Sequence, residues 1–341
     1  MKNLYWGFLA SIDEVKIMSN KIKEKYPAGK GIGGQAVIEG VMMRGRKIYA
    51  LAVRNPQGEI VVDKTDVKSV GDRAAFFKLP LVRGVVSFID SLVMGMKVIS
   101  RSAEMAGLDD LEYDQESKFE KWLEKKFGDK LADYIIYISV CISIVLSIGL
   151  FMVLPTFIGG WVNGIFGGSA RVRGVAEGII RILIFLGYII LVSQMKDIKR
   201  VFMYHGAEHK TINCYEADCE LTVENVKKHT RLHKRCGTSF LVLVMLVSMV
   251  VFFFINTNTL WLRVLSRILL VPVIAGISYE LIKWAGSHDN WLVKIVSAPG
   301  IALQLITTSE PEDDMIEVAI TSLKTVIEEE GEQIPEVNKN E

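Results

Sequence analysis

The sequence predicts a mainly α, polytopic membrane protein with about four transmembrane helices and a small cytosolic β-hairpin element. Three observations carry this. Half of the 341 residues are hydrophobic, and the mean hydropathy is positive at +0.30, which is unusual for a soluble chain. Four apolar stretches approach the ~20 residues that a bilayer core roughly 30 Å thick requires. The basic residues, finally, are shared unequally between the segments that join them.

The four stretches are Tyr134 to Phe157, Gly178 to Gln194, Thr238 to Ile255, and Val264 to Ile282. The first and third carry no charge. Arg181 in the second, and Arg267 and Glu280 in the fourth, fall near the ends of their stretches, where long side chains reach the interface. A transporter reading would instead bring these three together between helices.

The connection from 196 to 236 holds nine Lys or Arg, whereas the loop before it offers mainly Arg171 and Arg173. The positive-inside rule then puts this connection and both termini in the cytosol of a multi-pass cell-membrane protein. Tyr5 to Ala10 is too short and lacks the flanks of a cleavable secretory signal. The net charge of +1 gives no bias toward nucleic acid. The local basic charge is better matched to topology and anionic lipid, with the bilayer as the expected partner.

Ahead of the spans, residues 1–130 read as a cytosolic region. Residues 1–30 form a short helical, membrane-proximal arm. Ile48 to Arg54 and Glu59 to Val62 are β-prone runs joined by the turn Asn55-Pro56-Gln57-Gly58, hence the hairpin. Pro80 starts an amphipathic helix whose Leu81, Val85, Phe88, Leu92, Met96 and Ile99 recur at helical spacing, so it lies on the membrane or packs on its neighbours. A charged connector, Asp109 to Lys130, leads into the membrane domain, 131–283. Beyond it, in 284–326, Trp291 to Thr308 is interrupted by Lys294 and Pro299-Gly300, which suits an interfacial or re-entrant segment. A helix follows Pro311, with acids in its first turn, and 327–341 reads as a disordered acidic tail.

Four of the five histidines (His205, His209, His229, His233) and three of the four cysteines (Cys214, Cys219, Cys236) fall in the 196–236 segment. His205-Gly206-Ala207-Glu208-His209 places two imidazoles four residues apart, on one helix face, where both can bind a single divalent metal ion, zinc being the natural choice. Glu208 between them is placed to act on water as a general base. The spacing resembles the H-x-x-E-H signature of inverzincin metalloproteases, over these five residues. Gly206 weakens a helix by roughly 1 kcal/mol. The third ligand stays open among His233, Cys236, Glu216 and Glu280, and a closed structural zinc site from Cys214, Cys219, His229, His233 and Cys236 is the alternative. Cytosolic thiols are not read as disulfides.

Gly31 to Gly45 is dense in glycine, with Gln35, Glu39 and Arg44 as isolated polar groups. It lacks the Lys-Ser/Thr pair of a phosphate loop and reads as a tight packing loop, with Glu39 or Arg44 as further site candidates. The segments Gly33 to Gly45, Tyr204 to Glu216, His233 to Phe240 and Pro299 to Ala319 resemble the YqhQ-like family of bacterial membrane proteins. That resemblance implies a metal-dependent enzyme. The residues are consistent with a hydrolase acting on a membrane protein or lipid-linked substrate, and its rivals are a noncatalytic membrane scaffold or assembly factor and a transporter.

Overall fold

The computed structural model describes residues 31–67, 79, 82–107, 131–167, 169–254, 259–288, 290–331 and 335. The N-terminal arm, the 109–130 connector and most of the acidic tail lie outside them. The architecture is mainly helical, with one small sheet.

The sheet is larger than the hairpin expected. Four antiparallel strands run in sequence order: β1 (Gly33–Val37), β2 (Gly40–Arg44), β3 (Ile48–Arg54) and β4 (Ile60–Asp66). The expected pair is β3 and β4, joined at Asn55–Glu59 with Gly58 at φ +86°. The glycine-rich segment supplies the other two strands. Its glycines hid the strand signal, because glycine is a poor strand former when read locally. Here they allow close approach instead, since a Cβ on Gly40 would sit 2.8 Å from the Val53 side chain. Glu39 turns the β1–β2 hairpin at φ +50°.

Period-two alternation divides the strands between two cores. Val41, Met43, Ala50 and Ala52 pack on Ile316, Ala319, Leu323 and Ile327, which lie on the last helix, and on Tyr204, Ala207 and Ile212. Met42, Leu51 and Val53 pack on Val98 across the opposite face. The two covering helices are α1 (Val82–Met105) on that side and α10 (Asp313–Glu330) on the first. α10 continues to Glu330, into the segment read as tail, and Gly331 ends it in the left-handed conformation at φ +73°.

α1 buries small residues, Gly84, Gly95 and Ser102, together with Val98. Its apolar ridge stays open, Leu92 at 52% and Met96 at 61% exposed. Gly84 lets it touch α8 (Leu260–Ser287) at Gly276, and Arg83 pairs in bidentate fashion with Glu280 there, at 2.6 and 2.5 Å.

Among the described residues, three helical stretches are long and apolar enough to cross a membrane: Ile138–Phe166, Arg171–Val192 and Trp261–Ala285. The first joins α2 (Leu131–Ile148), a π-helical turn at Gly149–Val153 and α3 (Leu154–Phe166), and the second is α4 (Ala170–Val192). The third expected span is α7 (Gly237–Phe253), 17 residues long, and α9 (Trp291–Thr307), also 17 residues, is a continuous helix through Pro299. Length therefore separates three candidates from two shorter apolar helices.

The arginines correct the snorkelling expectation. α4 begins eight residues before Gly178, so Arg181 falls mid-helix, and Arg181 and Arg267 are 7% and 4% exposed. Glu280 is with Arg83 instead of with them.

Candidate functional site

The candidate site is built on α5 (Lys196–Glu216), whose second half, Gly206 to Glu216, is buried throughout. A helix rich in His, Glu and Lys does not bury itself by propensity. It is enclosed by β1 and β2 on one side, α10 on another, and the segment between α6 (Val223–Lys227) and α7 on a third. Asn213 ties that segment down by donating to the carbonyls of Thr230 (2.7 Å) and Leu232 (3.1 Å). Gln304 on α9 clamps it by accepting from His233 N and donating to His233 O, both at 2.8 Å. Glu39 fixes the hairpin turn to α5 through Arg200 at 2.5 Å and the Tyr204 hydroxyl at 3.2 Å.

Gly206 has a specific role here. A Cβ at this position would overlap the carbonyl oxygen of Ser309, and Ser309 N donates to Phe202 O at 2.8 Å. The glycine that looked like a helix defect lets the Thr307–Pro311 strap cross α5. Gly34 acts likewise on the other side, since a Cβ there would stand 2.7 Å from Glu208 Cγ.

His205 and His209, one turn apart, have ring centroids 4.4 Å apart. His205 Nδ1 faces the Thr307 carbonyl at 2.9 Å, and His209 Nδ1 faces the Arg231 carbonyl at 2.6 Å. A ring nitrogen facing a carbonyl oxygen donates to it, so in the neutral form of each ring Nε2 keeps the lone pair. Both lone pairs converge on Cys236, which N-caps α7. Sγ lies 3.2 Å from His205 Nε2 and accepts from Thr238 N at 3.4 Å. The ligand atoms of His205, His209 and Cys236 all lie within 4.8 Å of one another, and His209 Nε2 is buried with no hydrogen-bond partner. Such a trio could hold a metal ion.

Glu208 is buried beside this trio. The backbone N–H of Ala36 donates to it, while Oε2 has no partner. Burial pushes its carboxyl up to about 8, offset in part by the His205 ring. Burial also holds the His209 imidazole neutral to below its ordinary range. At Cys236 burial raises the thiol, but the neighbouring His209 ring and Thr238 outweigh it, and the thiol ends below its ordinary value. A cavity of about 690 Å³ opens over His205, Glu208 and Cys236 and is bounded by Gly33, Gly34 and Arg44.

The remaining candidates lie outside the trio, although His233 also lines the cavity and its ring centroid stands 5.6 Å from that of His209. His233 turns its Nε2 to Glu216 at 3.5 Å, and Arg235 pairs with the same carboxylate. Burial raises Glu216, but His233 and Arg235 outweigh it and keep the carboxyl ionised to lower pH. Cys214 lies in the hydrophobic core, its thiol pushed up to about 12 by burial, and Cys219 faces the Ala217 carbonyl. His229 is half-buried near Lys210 and Lys228, which, with burial, hold it neutral. Arg44 reaches Met94 Sδ at 3.8 Å from the cavity wall, and Glu280 lies against α1. Sequence reasoning passed over Gln304, Thr307 and Arg231, of which only Gln304 carries a signal, as a lone amide in an apolar run.

The family model described as "Protein of unknown function (DUF1385)" matches residues 79–329. The chain is 37% identical over 305 residues, 89% of its own length and 94% of the other's, to "Uncharacterized protein YqhQ" of Bacillus subtilis (strain 168). No solved structure matches it. On a match of this extent, the chain belongs to the DUF1385 family of YqhQ-like bacterial proteins.

Proposed function

We propose that this protein is a metal-dependent hydrolase whose centre lies where the sheet-bearing unit meets the apolar helices. One observation carries the reading. Three converging donors, His205, His209 and Cys236, include a buried, unpartnered Nε2, and beside them stands the buried Glu208 carboxyl, which has one unpartnered oxygen and belongs to a residue lining a cavity. Structural zinc sites close all four positions with protein donors, whereas catalytic ones keep one open. Among the described residues this site offers three donors and an open side. Two imidazoles and a thiolate suit zinc. The Thr307 and Arg231 carbonyls orient the two rings, as outer-shell acceptors do in such centres.

When bound, the ion would supply Lewis-acid polarisation of a carbonyl group. The ion's charge would offset the burial that raises Glu208 and favour its ionised form, which would take the proton of the attacking water and return it to the leaving group. Arg44 and the Gly33–Gly34 edge would position the substrate. A peptide or lipid-linked substrate reaching the site from the bilayer is the natural class, because α7 starts directly after Cys236. We further read α7 as a fourth crossing, with the 196–236 segment and both termini cytosolic. The nine basic residues of that segment support this.

The test is elemental analysis of gently purified full-length protein, wild type against the double change His205→Ala and His209→Ala, with folding checked for both. Stoichiometric metal lost only in the variant is expected, followed by loss of hydrolysis in Glu208→Gln. Folded wild type that cannot bind metal would remove the proposal. Metal-loaded protein indifferent to Glu208→Gln would leave the noncatalytic scaffold.

A further inference from the structure

A second polar cluster lies at the far end of the apolar helices. α4 runs from that end toward α5, and α7 runs back from Cys236, so the cluster is separated from the His/Cys centre by most of a helix length. Glu177 sits at its middle, 1% exposed, and receives Arg173 (3.0 Å), Arg263 (2.8 Å) and Arg267. Arg267 also donates to Thr156. Arg181 completes the group, donating from Nε to the Phe151 carbonyl (2.9 Å) and from Nη1 to Ser248 (3.2 Å), and both Arg181 and Arg267 lie 5.1 Å from the Phe252 ring centroid.

Among the described residues of these apolar helices, the formal charges do not balance. Across residues 138–194 and 237–279 the chain carries one carboxylate, Glu177, against Arg171, Arg173, Arg181, Arg263 and Arg267. Four of these five guanidinium groups converge on that one carboxylate or stand beside its partners. The partners of Arg181 are a carbonyl, a hydroxyl and a ring, all neutral. Arg181 is eleven residues from the start of α4, about 16 Å along the helix axis, which is mid-bilayer depth if α4 crosses. Buried cations in a membrane are costly and mark ligand or ion sites when their own chain does not neutralise them. The Phe151 carbonyl that meets Arg181 lies in the π-helical turn, a local departure from α-geometry that is often found at functional sites.

We propose that this cluster binds an anionic group of phosphate type, carried by the headgroup of an acidic phospholipid. Planar guanidinium forks match phosphate oxygens in bidentate fashion, and arginine accepts desolvation more readily than lysine. The rim fits this entry. Arg173 is 26% exposed at its side chain, while Arg263 and Arg267 behind it are 9% and 4% exposed. The headgroup docks at Arg173 and Arg263, and the excess positive charge deeper in the cluster strengthens its hold.

The experiment uses full-length protein in nanodiscs of phosphatidylcholine alone, of phosphatidylcholine with phosphatidylglycerol, and of phosphatidylcholine with added inorganic phosphate, reading the thermal midpoint. Phosphatidylglycerol should raise the wild-type midpoint on the order of 5 °C. Ser248→Asp, which places a carboxylate beside Arg181, should raise the midpoint in phosphatidylcholine and lose most of the lipid response. If that variant does not fold, the double change Arg173→Gln and Arg263→Gln gives the same reading through loss of the response. An equal rise with inorganic phosphate would keep the anion site and make its source free phosphate. A wild-type midpoint indifferent to both anions, or variants that respond as fully as wild type, would overturn the proposal.

Discussion

Glu208→Gln is expected to stabilise the metal-free protein at alkaline pH. The Glu208 carboxyl is buried, 4% exposed, with one oxygen bonded to Ala36 N–H and the other without a partner. Its ordinary value of 4.5 rises to about 8. Between those two values the folded state holds a proton that the unfolded state has released, so stability falls as pH rises through the window. Below it both states are protonated and the contribution is constant. Above about 8 the loss is complete. At roughly 1.4 kcal/mol per pH unit this amounts to about 5 kcal/mol, a midpoint shift on the order of 10 °C. The neutral amide does not ionise and escapes the loss. The assay is thermal unfolding in detergent with a chelator present, from pH 5 upward, for wild type and variant. The two should agree near the acid end and separate progressively, with the variant higher. Parallel profiles across the range would refute the claim that Glu208 is held in a site that disfavours its charge.

Gly206→Ala should destabilise the protein despite a helix-propensity gain of about 1 kcal/mol, because the added methyl meets the Ser309 carbonyl. Overpacking of this kind costs about 1–3 kcal/mol, and the displaced strap should weaken metal binding by releasing His205 from Thr307. Unchanged metal affinity and midpoint would show that the strap does not hold the ring. Ser322→Ala removes a buried hydroxyl that accepts from Met43 N at 3.0 Å and donates to Ala50 O at 2.8 Å. The loss should be about 1–3 kcal/mol, read as a lower midpoint, and an unaltered midpoint would remove this link between α10 and the sheet.

Much of this arrangement was legible from local pattern. The i, i+4 spacing of His205 and His209 is enough to put both rings on one face once the segment is helical. Long apolar runs announce the candidate spans, and Asn55-Pro56-Gln57-Gly58 announces the β3–β4 turn. The extents were harder to read. Charges inside α4 disguised its first turns, so Arg181 looked terminal when it is central. The glycines of β1 and β2 masked strands whose partners are supplied by the fold.

By itself, the sequence determined that the chain is rich in membrane-length apolar helices and that its His and Cys chemistry is gathered between residues 204 and 236, because both are properties of composition and short spacing. Only the tertiary structure decided that Cys236 meets the two histidines while His233 turns to Glu216, and that three arginines, Arg173, Arg263 and Arg267, share Glu177. Those choices depend on which segments cross in space. The Gln304 clamp, the Thr307 and Arg231 carbonyls and the close approach of Gly206 to Ser309 join residues as many as 103 positions apart. No local periodicity encodes such pairings, since they arise from burying polar groups where a partner must be found.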